Sequence, residues 1–259
     1  MRRGILALPI VVLATCFAGD VRAAIVFENF NTNEGRFATA PNFSTTFSTN
    51  VTAASTADRV VSPNPVFEGT GSERIVLDLG PGASTTPSRT RFLANIGAPG
   101  ASNPTFNLSS GVDGFIGFYL FSPASNTSTW SATIALDGPA NTTAEISEGI
   151  PINIVNDGLW HLYEWDLDNA SRWRAVSGIG GSGVIENGAS SIDSIILRTV
   201  GNGSNSTFFM DFVAKSDSGT IANLTAVPEP GTMLTLASAG AGALIYRRRS
   251  LLPAFRRRR

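Results

Sequence analysis

The chain is poor in the side chains that most often hold metals or form cross-links: its 259 residues include one cysteine and one histidine. A single cysteine excludes a disulfide framework, a cysteine-rich zinc site and an iron–sulfur cluster. A single histidine excludes a histidine-rich metal site. Lysine also occurs once, as Lys215.

Positive charge is scarce in the central part of the chain. The segments before residue 24 and after residue 226 carry ten arginines and two acidic residues, whereas residues 24–226 carry 9 basic and 18 acidic side chains. A nucleic-acid partner needs clustered lysine and arginine to neutralise its phosphates. The acidic body therefore argues against nucleic-acid binding.

The first 23 residues have the pattern of a secretory signal peptide. Two arginines precede an uncharged apolar stretch, Ile5–Ala18, and the best cleavage point follows Ala23. The stretch is too short for a comfortable transmembrane helix. An alternative is a lipoprotein signal with Cys16 as the lipidated residue, because residues 13–16 loosely match a lipobox. The apolar run continues past Cys16, which disfavours that alternative.

The C-terminal region has three parts in a fixed order. A rigid polar break comes first, an apolar stretch of 16 residues follows at Gly231–Tyr246, and a cluster of arginines closes it; the break and the cluster consist of Val227, Pro228, Glu229, Pro230, Arg247, Arg248 and Arg249. As a helix, the apolar stretch would span about 24 Å, slightly less than a membrane core of about 30 Å. Snorkelling arginines can cover that difference, and their charge predicts a cytoplasmic tail with the body outside.

This arrangement resembles the PEP-CTERM sorting signal of exported bacterial proteins. In that family an exosortase recognises the signal during sorting to the cell surface or the extracellular matrix. The resemblance implies an exosortase partner and a transient anchor in the membrane. It leaves the activity of the body open, because unrelated bodies carry the signal. Family members usually end soon after the arginines, whereas residues 250–259 add a second basic tail here.

The body, residues 24–226, has the composition of a β protein. Serine, threonine and asparagine make up 64 of its 203 residues, which suits strands and turns better than helices. Seven segments alternate in polarity or form short apolar runs: Ile25–Phe30, Arg74–Leu79, Phe115–Phe121, Trp130–Leu136, Trp160–Leu167, Ile192–Val200 and Thr207–Val213. One short helix is expected within Asp168–Val176, with Asp168 or Asn169 as its N-cap.

Many strands without intervening helices predict an all-β fold, an antiparallel jelly-roll β-sandwich in one domain. The body also resembles the jelly-roll domains of secreted carbohydrate-binding modules, at residues 27–30, 157–165 and 209–213. The predicted organisation is a signal peptide at 1–23, the sandwich at 24–226, the sorting signal with its transmembrane helix at 227–249, and a basic tail at 250–259.

The most aromatic predicted strand is Trp160–Leu167. Its period of two places Tyr163 and Trp165 on one face and Trp160 on the other. Sugars have apolar ring faces and polar edges, so Tyr163 and Trp165 are candidate glycan-binding residues. The alternative, favoured because buried aromatics are commoner, is that both rings fill the core. His161 lacks a nucleophile pattern and is expected to be structural.

Residues 164–168 contain an E-x-D-x-D pattern. It resembles the E-x-D-x-x-E strand of laminarinase-type glycoside hydrolases, in which the first glutamate is the nucleophile and the last is the acid/base. Here the position of the last glutamate is Asn169. A retaining mechanism needs two carboxyl groups about 5–5.5 Å apart, so the missing partner disfavours a glycosidase, and no enzymatic activity is expected.

Glu28 and Asp211 lie in the first and last predicted strands. The jelly-roll resemblance implies that these strands can share a structural calcium, an ion that takes six to eight oxygen ligands. The alternative is a pair of solvated surface carboxylates, the usual situation of acidic side chains. Calcium is the only cofactor that the sequence suggests.

These observations predict an exported, surface-sorted, non-enzymatic protein that is a structural or glycan-interacting component of the bacterial envelope or extracellular matrix. The expected partners are the exosortase, the membrane before processing, and a polysaccharide. Two alternatives stay open: an adhesin similar to a carbohydrate-binding module, and a laminarinase-type glycosidase.

Overall fold

The computed structural model describes residues 24–42, 48–85, 87–93, 105–109, 113–138, 146–176, 180–217 and 219–225. The predicted signal peptide, sorting signal, transmembrane helix and basic tail lie outside these residues. Within the described ranges, no helix is long and apolar enough to cross a membrane.

Strands dominate the described residues, and together they confirm the predicted all-β fold. They are β1 Ala24–Glu28, β2 Thr56–Val60, β3 Ser72–Leu77, β4 Arg89–Leu93, β5 Phe106–Leu108, β6 Phe115–Phe121, β7 Trp130–Asp137, β8 Ser147–Gly149, β9 Ile152–Asn153, β10 Trp160–Asp166, β11 Trp173–Ala175, β12 Gly188–Thr199 and β13 Ser206–Ser216. Short 3₁₀ helices lie at Gly35–Phe37, Pro81–Ser84 and Ala170–Arg172, and one α-helical turn, α1, at Ala222–Thr225.

The described strands form two antiparallel sheets packed face to face. The six-stranded sheet has the order β10-β6-β13-β3-β2, with β1 also paired to β13. The seven-stranded sheet has the order β11-β8-β7-β12-β4, with β5 paired to β12 and β9 paired to β7. Sequence-distant strands are neighbours in both sheets, which is the arrangement expected of a sandwich.

The main core lies between the two sheets. Its largest side chains come from the inner faces of both, including Phe118, Trp165 and Phe208 from one sheet and Trp130 and Ile195 from the other. Trp130 contacts Phe208 edge-on, with ring centroids 5.6 Å apart, and its Nε1 donates to Ser206 Oγ at 2.9 Å. The indole therefore buries its ring without leaving its polar atom unpaired.

Strand β6 is buried on both faces, as its continuous apolar run predicts. Ile116, Phe118 and Leu120 point into the main core. Tyr119 and Phe115 point the other way, into a second group that we call the outer cluster. Its other members are Phe67, Trp160, Leu162, Phe212, Ala214, Ile221 and Leu224.

The helix expected within Asp168–Val176 is only partly present. A 3₁₀ turn covers Ala170–Arg172, and Asn169 caps it by accepting a hydrogen bond from Ser171 N at 3.1 Å. The remainder is strand β11, in which Trp173 pairs with Gly149 of β8. Pairing with a neighbouring strand overrides the local helical pattern there.

Candidate functional site

The two faces of β10 have opposite environments. Tyr163 and Trp165 are only 2% and 1% exposed and belong to the main core. Their polar atoms are used internally: Val155 N donates to the Tyr163 hydroxyl at 3.0 Å, and Trp165 Nε1 donates to Ile150 O at 2.8 Å. The assignment of Tyr163 and Trp165 to a glycan-binding face is therefore corrected. Neither ring presents a face on which a sugar could stack.

Trp160 occupies the opposite face of the same strand and begins a row of aromatic rings. Trp160 pairs with Phe121 of β6, and Phe121 pairs with Phe209 of β13. Residues directly opposite each other in antiparallel strands point to the same face. The three rings therefore lie side by side on the outer face of the six-stranded sheet.

The rings of this row pack against each other but keep accessible surface. The Phe121 ring centroid lies 5.7 Å from that of Trp160 and 5.7 Å from that of Phe209. Trp160 and Phe121 are half-buried, whereas Phe209 is 7% exposed. The accessible platform consists of Trp160 and Phe121.

The row ends in two charged side chains. Phe209 pairs with Arg74 of β3, and Arg74 pairs with Asp58 of β2, which continues the register across five strands. Arg74 Nη2 lies 3.7 Å from Asp58 Oδ2, and Arg74 Nε has no hydrogen-bond partner among the described residues. At about 4.8 Å per strand, the row from Trp160 to Asp58 measures about 19 Å.

The outer cluster, beside this row, is covered by other parts of the chain. Phe67 stacks on Tyr119 with ring centroids 3.6 Å apart and lies 5.8 Å from Trp160. Ile221, from the segment that follows β13, is completely buried in the same cluster. The cluster shares Trp160 with the row. Its centre around Tyr119 and Ile221 is closed, whereas Trp160 and Phe121 keep accessible surface among the described residues.

Glu164, the first residue of the E-x-D-x-D pattern, holds that covering segment. Its Oε2 accepts hydrogen bonds from Thr220 Oγ1 at 3.0 Å and from Ile221 N at 2.9 Å. Asp168 accepts bonds from the main-chain N–H groups of Asp113 and Gly114 at 2.9–3.1 Å. Both carboxylates bind the protein's own backbone, which gives the glycosidase alternative no support.

His161 lies at the end of β10 against the turn that precedes the strand. Its Nε2 lies 2.9 and 3.0 Å from the two carboxylate oxygens of Asp157. The hydrogen bond from His161 lowers the pKa of Asp157. This local pair fits the expected structural role.

The predicted calcium ligands lie in strands that pair, since Glu28 of β1 is opposite Val213 of β13. Glu28 Oε1 accepts from Asn29 N and Phe30 N, both at 3.1 Å. Asp211 is fully buried and accepts from Phe67 N, Glu68 N and Phe212 N at 2.7–3.0 Å. Burial raises the pKa of Asp211 to about 7. Among the described residues, no group of three or more acidic, histidine or cysteine side chains could hold a metal ion. The calcium stays a prediction.

The sequence analysis offered Tyr163 and Trp165 of β10 as glycan-binding candidates, with a place in the core as the favoured alternative, and the structure places both rings in the core. Alternation correctly separated Trp160 from Tyr163 and Trp165. The sequence does not indicate that Phe121 and Phe209 lie on the outer face, because each lies in an apolar run that has no polar residues to mark an exterior face. Only the register of β10, β6 and β13 brings these rings together.

The C-terminal sorting motif indicates an exported protein that is sorted to the cell surface. The family model of the PEP-CTERM protein-sorting motif matches residues 226–249, so the chain carries that motif. The motif implies processing by an exosortase. No curated protein matches the chain in a sequence comparison.

Several solved structures are similar to the chain. One, from a study of promiscuous specificity in carbohydrate-binding modules of the β-sandwich superfamily, has 11% identity and a TM-score of 0.41 over 73% of this chain. The match spans 60% of that structure's length. The family 11 carbohydrate-binding module of a Clostridium thermocellum cellulosomal cellulase has 12% identity and a TM-score of 0.41, covering 77% of this chain and 97% of the module. The module CBM27-1 of Caldicellulosiruptor saccharolyticus, solved with mannohexaose, has 6% identity and a TM-score of 0.40, covering 76% and 99%.

Proposed function

We propose that this exported protein binds a polysaccharide at the cell surface through the outer face of its six-stranded sheet. The observation that carries the proposal is the row Trp160–Phe121–Phe209, which continues in register into Arg74 and Asp58. The row combines aromatic surface at one end with hydrogen-bonding groups at the other.

The chemistry of a sugar chain fits both ends of the row. The C–H face of a pyranose ring stacks on an accessible aromatic ring, and Trp160 offers the largest one. Sugar hydroxyl groups need both donors and acceptors. Arg74 supplies donors and Asp58 supplies acceptors, and both side chains are partly exposed, at 39% and 54%. A row of about 19 Å admits several sugar units in a line across the strands.

The test is a glycan array probed with the full-length chain in a polyoxyethylene detergent, since a sugar-based detergent would compete for the site. Wild-type protein is expected to bind one class of polysaccharide saturably. Trp160→Ala should weaken binding about tenfold or more, corresponding to about 1.4 kcal/mol. Trp160→Phe, which keeps a ring, should retain part of the affinity.

Val184→Ala is the matched control, because Val184 is 57% exposed and lies beside β8 of the other sheet, where its carbonyl accepts from Ser147 Oγ. It should bind like wild type. Circular dichroism establishes that each variant is folded. A folded wild-type sample that binds nothing on the array would contradict the proposal and favour a passive structural role in the matrix. If Trp160→Ala binds as well as wild type, the aromatic row is not the binding site, and the proposal is wrong.

A further inference from the structure

A pocket of about 140 Å³ lies beyond the end of β10 that is remote from Trp160. Its polar side chains are Asp113 from the turn before β6, Asp168 from just after β10, and Asn187 from the segment before β12. The other four side chains of the described lining are apolar, and that lining includes no arginine or lysine. The pocket therefore offers negative charge beside an apolar wall.

The carboxylate of Asp113 is only partly used by the protein itself. Asp113 is 5% exposed. Its Oδ1 accepts from Ser109 N at 2.6 Å, whereas its Oδ2 has no hydrogen-bond partner among the described residues. Polar groups of buried side chains nearly always have a partner. A free carboxylate oxygen on the wall of a pocket therefore calls for a donor from outside.

A second carboxylate is fixed beside the first. Asp168 accepts from Asp113 N at 2.9 and 3.0 Å, so the backbone of one aspartate anchors the side chain of the other. Burial raises the pKa of Asp113, and the charge of Asp168 acts in the same direction. The hydrogen bond from Ser109 and the charge of Lys215 oppose this shift in pKa without cancelling it. Lys215 is itself paired with Asp217 through its Nζ. The pocket therefore favours a ligand with positive charge.

The composition of the lining favours an organic cation over a bare metal ion. Calcium takes six to eight oxygen ligands, whereas apolar side chains form most of this lining. In the described parts of the chain, no cluster of three acidic, histidine or cysteine side chains is suited to a metal ion. The apolar wall can pack against C–H groups instead. The volume corresponds to about five water molecules, which admits one sugar ring but not a chain.

We propose that this pocket binds the ammonium group of an amino sugar that is not acetylated. The positive charge is argued from the pocket alone, whereas the choice of a sugar rests on the proposed function. An ammonium group donates three hydrogen bonds, and Asp113, Asp168 and Asn187 supply acceptors for them. The body, with 18 acidic and 9 basic side chains, attracts a cationic polysaccharide. Asp168 lies eight residues beyond Trp160, or about 26 Å along the strand, so the pocket and the aromatic row are separate sites.

The test is isothermal titration of the full-length chain, in a polyoxyethylene detergent at low salt, with four ligands. They are the trimer of glucosamine, the trimer of N-acetylglucosamine, ethanolamine and calcium chloride. The glucosamine trimer is expected to bind, more weakly as salt rises, and the uncharged acetylated trimer about tenfold more weakly. Equal binding of the two trimers, or no binding of either, would overturn the proposal. Ethanolamine binding as tightly as the glucosamine trimer would overturn the assignment to a sugar, and displacement of the trimer by calcium would overturn the assignment to an ammonium group.

Variants separate this pocket from non-specific attraction and from the aromatic row. Asp113→Asn should weaken binding of the glucosamine trimer about tenfold, while its amide oxygen still accepts from Ser109 N. Asp157→Asn is the matched control, because it removes the same charge at the other end of β10, where Asp157 is paired with His161. It should leave the affinity unchanged.

Two results with these variants would overturn the proposal. Equal losses in Asp113→Asn and Asp157→Asn would show general charge attraction, and a wild-type affinity in folded Asp113→Asn would exclude the pocket. Trp160→Ala distinguishes the pocket from the aromatic row. A loss in Trp160→Ala as large as that in Asp113→Asn would place the trimer on the row, and the pocket proposal would be wrong.

Discussion

The two sheets have similar inner faces and very different outer faces. On the six-stranded sheet, the outer face carries the aromatic row and the outer cluster. On the seven-stranded sheet, it carries Glu148 between Arg174 and Arg198. The inner faces must both be apolar because they form one core. The outer faces are free of that requirement, and their difference therefore marks where ligand chemistry can reside.

Among the described residues, each sheet also contains a completely buried glutamate. One of the two is bound by arginines, and the other has no hydrogen-bond partner. Glu148 accepts hydrogen bonds from Arg174 Nε at 2.7 Å and Arg198 Nη2 at 2.6 Å. Glu73, on the inner face of β3, has no partner for either carboxylate oxygen among the described residues. Burial, together with the nearby charges of Glu34, Asp58 and Glu28, raises the pKa of Glu73 to about 9. Pairing stabilises a buried carboxylate in one sheet, whereas protonation does so in the other.

The largest expected effect separates the two faces of β10. Trp165→Ala should lower the free energy of unfolding by about 4 kcal/mol, because it leaves a cavity in the main core. Trp160→Ala, on the outer face, should lower the free energy of unfolding much less, because Trp160 is already partly exposed. Urea unfolding of both variants measures the difference. Equal losses would mean that Trp160 is as much a core residue as Trp165.

The second effect tests the paired glutamate. Glu148→Gln should destabilise the protein by about 3 kcal/mol, because it keeps the shape of the side chain but leaves two arginines facing an uncharged group. Arg174 is 41% exposed and Arg198 is 17% exposed, so most of the loss should come through Arg198. Urea unfolding of Glu148→Gln beside Arg174→Gln gives the comparison. If the two variants lose equally little, the buried pair contributes no more than a surface pair.

The third prediction concerns Glu73, the buried glutamate without a partner. Replacing it by glutamine should stabilise the protein at alkaline pH, whereas replacing Glu148 should destabilise it. Between pH 4.5 and pH 9 the folded state holds a proton on Glu73 that the unfolded state has released. Stability should therefore be highest at acidic pH and fall towards pH 9, by at most about 1.4 kcal/mol per unit. Glu73→Gln should remove most of this slope and raise stability at pH 8 by about 2 kcal/mol.

Unfolding curves at pH 5, 7 and 9 check this prediction. Part of the slope below pH 7 should survive in Glu73→Gln, because burial also raises the pKa of Asp211 to about 7. Asp211→Asn in the same background isolates that remainder. A wild-type stability that rises from pH 5 to pH 9 would show that Glu73 is ionised in the native protein and has a partner.

Local patterns in the sequence were enough to predict seven of the strands and the sandwich class. Phe115–Phe121 is the clearest case, because its continuous apolar run predicted a strand covered on both faces. Six strands were not predicted, because they are short or polar and become strands only by pairing with a neighbour: β2, β4, β5, β8, β9 and β11. The aromatic row could not be predicted from local patterns for a related reason, because its residues come from five different strands.

The sequence by itself determined the sorting signal, the all-β class and the division of β10 into two faces, because these depend on composition and on period-two spacing. The tertiary structure alone decided which face of β10 is buried, which rings share a row, and which glutamate meets an arginine. Arg89 and Arg198, or Glu73 and Glu34, are brought together by strand register and loop packing. Register is a cooperative property of the whole sheet, so no local segment contains it.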